Sequence, residues 1–153
     1  MKNTAGMVKQ GVILAAGRGS RAFPLSQSYP KSLLPIFNKP VMQYQIEVMR
    51  DAGIRDIVIV IGSLGSQIED FFGNGSRLGV RLSYIVDNKA QGIAGSLMKA
   101  KDRIVGPFFL FLGDIFVVDA DIKSSIALMV GLEADAIVIG REEIDPEAVK
   151  RNF

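Results

Sequence analysis

Short apolar segments that alternate with helical ones place the strongest limit on how this chain can fold. The apolar runs at 56–61 and 108–112 have the length and composition of strands that are buried on both faces. Before the run at 56–61, the apolar residues Met42, Ile46 and Met49 recur at helical spacing. Because strands and helices alternate, we predict an α/β fold, a Rossmann-like three-layer sandwich with a mainly parallel sheet flanked by helices.

The full order of predicted elements repeats this alternation along the chain. A long segment at 17–39 interrupts it and is rich in glycine, proline, serine and basic residues. Structureless loops of that length are usually functional. Ser63 is a predicted helix N-cap, whereas Gly53 and Gly73 are predicted helix stops. The strands are predicted at 11–16, 56–61, 80–86, 108–112 and 136–139, and the helices at 40–53, 63–72, 93–104 and 122–132.

Two missing residue types exclude several kinds of chemistry. The 153 residues include no cysteine and no histidine, so disulfide bridges and thiol nucleophiles are excluded and the commonest general base is absent. The net charge of +2 predicts neither a nucleic-acid nor a membrane partner. The first residues lack the apolar run of a signal peptide, and no apolar stretch reaches the roughly 18 residues of a membrane span. We therefore predict a single ordered domain at 1–153 with a cytoplasmic location.

The most informative segment is the loop that follows the first predicted strand. Residues 14–21 read LAAGRGSR, and a proline-rich stretch leads on to Lys31. Glycines allow backbone N–H groups to approach an anion closely. Arg21 can grip a phosphate as a fork, and Lys31 can add a point charge. The constellation predicts a phosphate-binding loop rather than a surface loop with solvated charges.

Two better-known phosphate loops fit this segment poorly. The spacing Gly17-x-Gly19-x-x-Ala22 matches the dinucleotide fingerprint, but that motif runs directly into a helix, and here Pro24 follows instead. The acidic residue expected at the end of the second strand is also missing. A Walker motif is excluded because proline, not glycine, precedes Lys31.

Two further segments carry candidate ligand contacts. Asp114 follows Gly113 at the end of the fourth predicted strand, where a carboxylate can reach the ligand crevice and suits magnesium, although it could instead cap the next segment. Gln91 and Gly92 form a glycine-rich entry to a helix, which could approach a base or a ribose closely or could serve as a helix cap. We predict Asp114 as a magnesium ligand and Gln91 with Gly92 as nucleotide contacts.

Together these residues resemble the sugar-1-phosphate nucleotidyltransferases, the family that includes glucose-1-phosphate thymidylyltransferase and uridylyltransferase. The family signature runs from a strand through a glycine-rich loop with an arginine to a Pro-Lys pair and then a Lys-Pro before a helix, and it is present here at 12–44. The resemblance implies transfer of a nucleoside monophosphate from an NTP to a sugar 1-phosphate, with Arg21 and Lys31 as catalytic residues and Asp114 holding Mg²⁺. It implies nucleotide contacts from Ala15, Ala16, Gly17, Gly19, Ser20 and Gly92.

Three departures from the family pattern limit what the resemblance implies. Asp87 stands where relatives commonly have a glutamine that reads the pyrimidine, and Ile115 follows the metal-binding position where asparagine is common. The chain also ends at Phe153, before the part that supplies most sugar contacts and a second magnesium-binding aspartate in the family. We therefore predict that residues 1–153 are the N-terminal, nucleotide-binding part, with UTP or dTTP favoured and the sugar left open.

Two other functions stay open at this point. A shortened relative could bind nucleotide without turnover, because the second carboxylate is missing. The chain could also transfer a cytidylyl group to a non-sugar phosphate such as phosphocholine. The sequence is compatible with a homo-oligomer in any of these cases.

Overall fold

The computed structural model of the chain describes residues 8–17, 24, 27–89, 92–118 and 120–140. From the first α-helix onward, helices and strands alternate within these residues. The strands are β1 (Gln10–Ala15), β2 (Pro35–Ile36), β3 (Lys39–Pro40), β4 (Asp56–Ile61), β5 (Arg81–Val86) and β6 (Phe108–Leu112), and the α-helices are α1 (Val41–Asp51), α2 (Gly65–Phe72), α3 (Gly92–Ala100) and α4 (Ile122–Gly131). In this described part of the chain, every helix is too short or too polar to cross a membrane.

Four of the strands form one parallel sheet in the order β5-β4-β1-β6. At the carboxyl end of β1, Ala15 pairs with Ile61 of β4, and Leu14 pairs with Leu112 of β6. The last residues of these three strands therefore meet at one edge of the sheet, with β1 in the middle. The sheet confirms the predicted α/β fold.

Helices cover both faces of this sheet. Side chains alternate along β1, so Ile13 lies in one apolar cluster, whereas Val12 and Leu14 lie in another. Helices α1, α2 and α4 contribute side chains to the cluster that contains Ile13, and α3 contributes Leu97 and Ala100 to the cluster on the opposite face. A fully buried large apolar side chain stabilises a fold by about 1.5–3 kcal/mol, so burial on both faces holds the central strands firmly in place.

Helix α1 has the buried face that its sequence spacing predicts. Three residues on that face are 0% exposed: Met42, Ile46 and Met49. Gly53 ends the segment as predicted, with a φ of +94°. Its N–H donates to the Arg50 carbonyl, and the Ile54 N–H donates to the Met49 carbonyl, each at 2.9 Å. This is the bond pattern of a Schellman cap, and it lets the chain turn directly into β4.

Two predicted helix boundaries are wrong because tight turns replace the ends of the helices. Helix α2 begins at Gly65 rather than at the predicted cap Ser63, and Leu64 occupies the N-cap without a side-chain bond. A turn closed by the Gly65 N–H and the Gly62 carbonyl precedes the helix. Helix α3 ends four residues earlier than predicted, since residues 101–103 tighten into a 3₁₀ turn.

The last predicted strand, at 136–139, is not a strand. Val138 is 94% exposed and Ile139 is 57% exposed. A strand requires a neighbour for its backbone N–H and C=O groups, and no strand in the described residues pairs with this segment. The apolar pattern of 136–139 is therefore not sufficient to form a strand.

The long loop at 17–39 contains a small hairpin that was not predicted. Strands β2 and β3 pair antiparallel around Phe37 and Asn38, which have φ values of 46° and 67°. Two successive residues with positive φ are typical of a type I′ turn, whose twist suits a tight hairpin. The hairpin returns the chain to the start of α1.

Tyr84 on β5 gives the fold a testable dependence on alkaline pH. Its hydroxyl donates to the Gly73 carbonyl at 2.7 Å, and burial is the main cause that raises the pKa of Tyr84 from 10.0 to about 12. The folded state therefore favours the neutral phenol, so this stabilisation is complete below about pH 10 and is lost as the pH rises through about 12. Between these values, the wild type should lose more free energy of unfolding than Tyr84→Phe, as measured by urea denaturation. A difference between the two proteins that stays constant up to about pH 12 would contradict the prediction.

Candidate functional site

The carboxyl ends of β4, β1 and β6 are packed so closely that glycine is required on either side of β1. A Cβ atom at Gly113 would lie 2.9 Å from the Ala15 Cβ, and one at Gly62 would lie 2.8 Å from the Ala16 carbonyl oxygen. Side chains are thus excluded on both flanks of the residues that end β1. Gly62 was not among the predicted site residues, although a glycine directly after an apolar strand is a signal of close approach.

Substitution of Gly113 tests this close packing. We expect Gly113→Ala to lower the free energy of unfolding by about 1–3 kcal/mol, because the added methyl group must displace β1 or β6. Gly131→Ala is the matched control, since a Cβ at that helical position meets nothing within 4 Å and should be neutral or stabilise by up to about 1 kcal/mol. Equal effects of the two substitutions in urea denaturation would contradict the packing argument.

Lys31 lies on a short, firmly anchored turn. It is the first residue of a 3₁₀ turn, Lys31–Leu33, whose next two residues, Ser32 and Leu33, are buried. Leu33 belongs to the main apolar cluster, so the backbone of the turn is fixed while the lysine side chain reaches toward solvent. The anchoring explains how a cation in a long loop acquires a defined position.

Asp114 lies within reach of that lysine. The Lys31 Nζ is 4.0 Å from the Asp114 Oδ2, and the two side chains are 28% and 58% exposed. An ion pair this open to solvent contributes at most about 1 kcal/mol. Both groups therefore stay available to a ligand, and the contact matters because it brings a cation and a carboxylate together beside the end of β1.

The turn that carries Asp114 is held by a side chain that the sequence analysis did not identify. The fully buried Gln45 donates from its Nε2 to the carbonyls of Leu112 and Ile115, at 2.8 and 2.6 Å. Gln45 lies three residues after Met42 in a helix whose apolar face is buried. An amide on such a face must find partners, and this was the available signal.

The hairpin β2–β3 is tied to the first turns of α1. Lys39 donates to Glu47 at 2.6 Å and lies 4.4 Å from the centre of the Tyr44 ring, and the Tyr44 hydroxyl donates to the Ile36 carbonyl at 2.7 Å. The hydrogen bond to Glu47 raises the pKa of Lys39. Burial acts to raise the pKa of Glu47, but the bonds from Lys39 and Gln43 lower it. Both groups therefore stay charged at neutral pH.

The predicted site residues divide into those that the structure places and those that lie outside it. Ala15 ends β1, Ala16 is buried and Gly17 is exposed. These residues lie at the same sheet edge as Lys31 and Asp114. Gly92 begins α3 with a φ of +80° and is exposed. Four predicted residues lie outside the described residues: Gly19, Ser20, Arg21 and Gln91.

Asp87, which departs from the family pattern, is turned into the protein. It is 2% exposed, and its Oδ2 accepts a hydrogen bond of 2.7 Å from the Ser96 hydroxyl on α3. Its Oδ1 accepts a bond from the Lys89 N–H at 3.2 Å. A carboxylate buried in this way fastens α3 to the end of β5.

A comparison with known families decides the class of this protein. The family model described as nucleotidyl transferase matches residues 10–148. The chain belongs to the nucleotidyl transferase family. The matched segment contains β1, the loop with Lys31 and the turn with Asp114, so the sequence-based resemblance to this family is confirmed.

Individual relatives of the chain carry related names. A glucose-1-phosphate thymidylyltransferase from Streptomyces griseus is 39% identical over 110 residues, which is 71% of this chain and 31% of the relative. A UTP–glucose-1-phosphate uridylyltransferase from Synechocystis is 35% identical over 133 residues, 78% of this chain and 34% of the relative. A solved UDP-glucose pyrophosphorylase complexed with UDP-glucose superimposes with a TM-score of 0.73 at 26% identity, over 83% of this chain and 55% of that one. The chain thus spans about a third to a half of the length of such relatives.

Proposed function

We propose that this chain forms the nucleotide-binding half of an enzyme that transfers a nucleoside monophosphate from UTP or dTTP to a sugar 1-phosphate, releasing pyrophosphate. The observation that carries the proposal is the pairing of Lys31 and Asp114, 4.0 Å apart beside the end of β1. Parallel sheets bind ligands at this edge. Thymidylyl- and uridylyltransferases among the relatives support the choice of nucleotide.

The proposed reaction suits a chain without histidine. An oxygen of the sugar 1-phosphate attacks the α-phosphorus of the NTP, the bond to the bridging oxygen breaks, and pyrophosphate leaves with the electron pair. The second pKa of a phosphate monoester is about 6, so the attacking oxygen is already deprotonated at neutral pH and needs no general base. Positioning and stabilisation of negative charge then supply most of the catalysis.

Each described site residue has a role in this reaction. The backbone at Ala15, Ala16 and Gly17 would contact the nucleotide, and Gly92 offers an open approach to the base or ribose. Lys31 would lie against the phosphates, where its charge offsets the negative charge that develops at the α-phosphorus. We also assign Arg21, Gly19 and Ser20 to the triphosphate and Gln91 to the nucleotide, on the family signature.

The residues present fit a magnesium ion that is shared with the substrate. No group of three or more acidic, cysteine or histidine side chains that could hold a metal occurs among the described residues. Magnesium, however, is usually held by one or two carboxylates together with substrate phosphates. Asp114, with a largely exposed carboxylate, would supply the protein ligand. The bound ion would neutralise phosphate charge and orient the leaving group.

Because Asp87 is buried, we assign recognition of the nucleotide base to other residues. Its carboxylate already accepts bonds from Ser96 and Lys89, so we assign base recognition to the neighbouring segment that contains Gln91 and Gly92. Because NTPs and sugar phosphates are cytoplasmic metabolites, we also propose that the protein acts in the cytoplasm.

Pyrophosphate release tests the proposal directly. The chain would be assayed with Mg²⁺ and UTP, dTTP, CTP, ATP or GTP, each with a panel of sugar 1-phosphates and with phosphocholine, and nucleotide binding would be measured in parallel by calorimetry. Release with UTP or dTTP that depends on one sugar 1-phosphate supports the proposal. If nucleotide binds tightly without release, the same assay is repeated on a longer form that includes the sugar-binding part: release there supports the proposal, and its absence points to a nucleotide-binding module. Release that needs CTP and phosphocholine points to a cytidylyltransferase.

A further inference from the structure

Gln45 is a polar side chain in an apolar position. It is 0% exposed and lies on the same buried face of α1 as Met42 and Met49. Burying an amide costs free energy unless hydrogen bonds compensate. Both compensating bonds run to a single turn about 70 residues further along the chain, and they end on the carbonyls that flank Gly113 and Asp114.

The turn in question is a four-residue turn, 112–115. The Ile115 N–H closes it on the Leu112 carbonyl at 3.1 Å, and the Gly113 N–H donates to the Leu14 carbonyl of β1 at 2.8 Å. The Leu112 carbonyl therefore accepts from both Ile115 and Gln45, while the Ile115 carbonyl accepts from Gln45. One amide group thus braces both ends of the turn whose third residue is Asp114.

The side-chain oxygen of Gln45 gains nothing from its position, so the two hydrogen bonds that its Nε2 donates are the benefit of having glutamine here. Its Oε1 is buried and has no hydrogen-bond partner within the described residues. An unsatisfied buried acceptor lowers stability, and methionine would fill a similar volume without it. What the site gains from glutamine is therefore the pair of bonds to the turn.

Tyr44, the residue before Gln45 in α1, contacts both neighbouring loops. The Tyr44 ring packs edge-on against Phe116, with centroids 5.0 Å apart, and its hydroxyl holds the Ile36 carbonyl of the hairpin. The Val41 N–H bonds the Leu34 carbonyl, which follows the turn with Lys31. The start of α1 thus connects the segment that carries Lys31 with the segment that carries Asp114.

We propose that Gln45 is a positioning residue, which fixes the 112–115 turn and thereby sets where the Asp114 carboxylate meets the metal–nucleotide complex. The inference rests on the proposed function of Asp114. It predicts two separable effects of Gln45→Met, one on the turn in the free protein and one on the metal-dependent part of nucleotide binding.

The first experiment measures amide hydrogen exchange in the free chain. In Gln45→Met, the Ile115 N–H should exchange about fivefold faster, relative to the Ile13 N–H in the centre of β1. Gln43→Met is the control, because Gln43 is half-buried on the same helix and bonds to Glu47 rather than to the turn. Unchanged exchange at Ile115 in Gln45→Met would overturn the inference.

The second experiment measures the affinity for UTP and dTTP with and without Mg²⁺. Gln45→Met should reduce the gain in affinity that Mg²⁺ confers by about tenfold, with metal-free affinity unchanged, and Gln43→Met should preserve the gain. Faster exchange with an unaltered gain would overturn the inference, because Gln45 would then merely support the fold. If the wild type shows no gain from Mg²⁺, the proposed role of Asp114 fails, and the exchange data alone decide whether Gln45 fixes the turn. Loss of folding in both Gln45→Met and Gln45→Leu would likewise overturn it.

Discussion

Replacing Lys31 with methionine should slow pyrophosphate release by about 100- to 1,000-fold. Methionine keeps most of the apolar stem and removes the charge, so the anchored turn Lys31–Leu33 should persist. A group that stabilises charge in the transition state typically contributes a factor of this size. The metal-free affinity for UTP or dTTP should also fall, because a cation beside the triphosphate is lost.

The control for this substitution is Lys101→Met, which removes an exposed lysine after α3. It has the same effect on net charge, so it separates the local role of Lys31 from the overall field of the protein. A rate within about twofold of the wild type is expected for the control. If Lys31→Met also releases pyrophosphate within about twofold of the wild-type rate, the charge that stabilises the transition state must come from another residue.

Replacing Asp114 with asparagine should reduce the rate by a similar factor of about 100 to 1,000, but through the metal. Asparagine preserves the size of the side chain and removes the charge that we assign to Mg²⁺ binding. Higher concentrations of Mg²⁺ should therefore restore part of the rate in Asp114→Asn and none of it in Lys31→Met. The metal-free affinity for nucleotide should stay the same or rise, since a carboxylate no longer repels the triphosphate.

The metal-free affinity for nucleotide should fall in Lys31→Met but stay the same or rise in Asp114→Asn. This difference separates the role of Lys31 from that of Asp114 even if the chain does not turn over. Asp135→Asn, at an exposed position after α4, is the control for Asp114→Asn and should behave as the wild type in both assays. If Asp114→Asn weakened metal-free binding as Lys31→Met is expected to do, Asp114 would be acting as a support for the loop rather than as a metal ligand.

The elements that could be predicted from the sequence are those whose signals are local. The strands β4 and β6 match the predicted 56–61 and 108–112, because runs of this kind pack against helices on both faces of a parallel sheet. The Gly53 stop was also predictable, since a left-handed cap favours glycine strongly. By contrast, 136–139 has a strand composition but pairs with no strand among the described residues, and pairing is not a local property.

Parts of the candidate site depend on contacts between distant segments, which a single sequence does not reveal. The loop with Lys31 and the turn with Asp114 were each predicted to be functional, but the bracing of that turn by Gln45 joins residues about 70 positions apart. The inward orientation of Asp87 depends on Ser96 of a different element. In both cases the fold shows that a polar side chain is buried, and only the fold reveals its hydrogen-bond partners.

The position of β1 between β4 and β6 also sets an order in which the site can be completed as the chain is made. Gln10 pairs with Asp56 on one side and with Phe108 on the other, so its second partner leaves the ribosome about 100 residues later. At about 5–20 residues per second, that delay is about 5–20 s. During this interval the loop with Lys31 can already pack on α1, whereas the Asp114 turn does not yet exist. Any change that slows synthesis between β4 and β6 therefore prolongs the exposure of an unpaired edge of β1 and delays the meeting of the two charges.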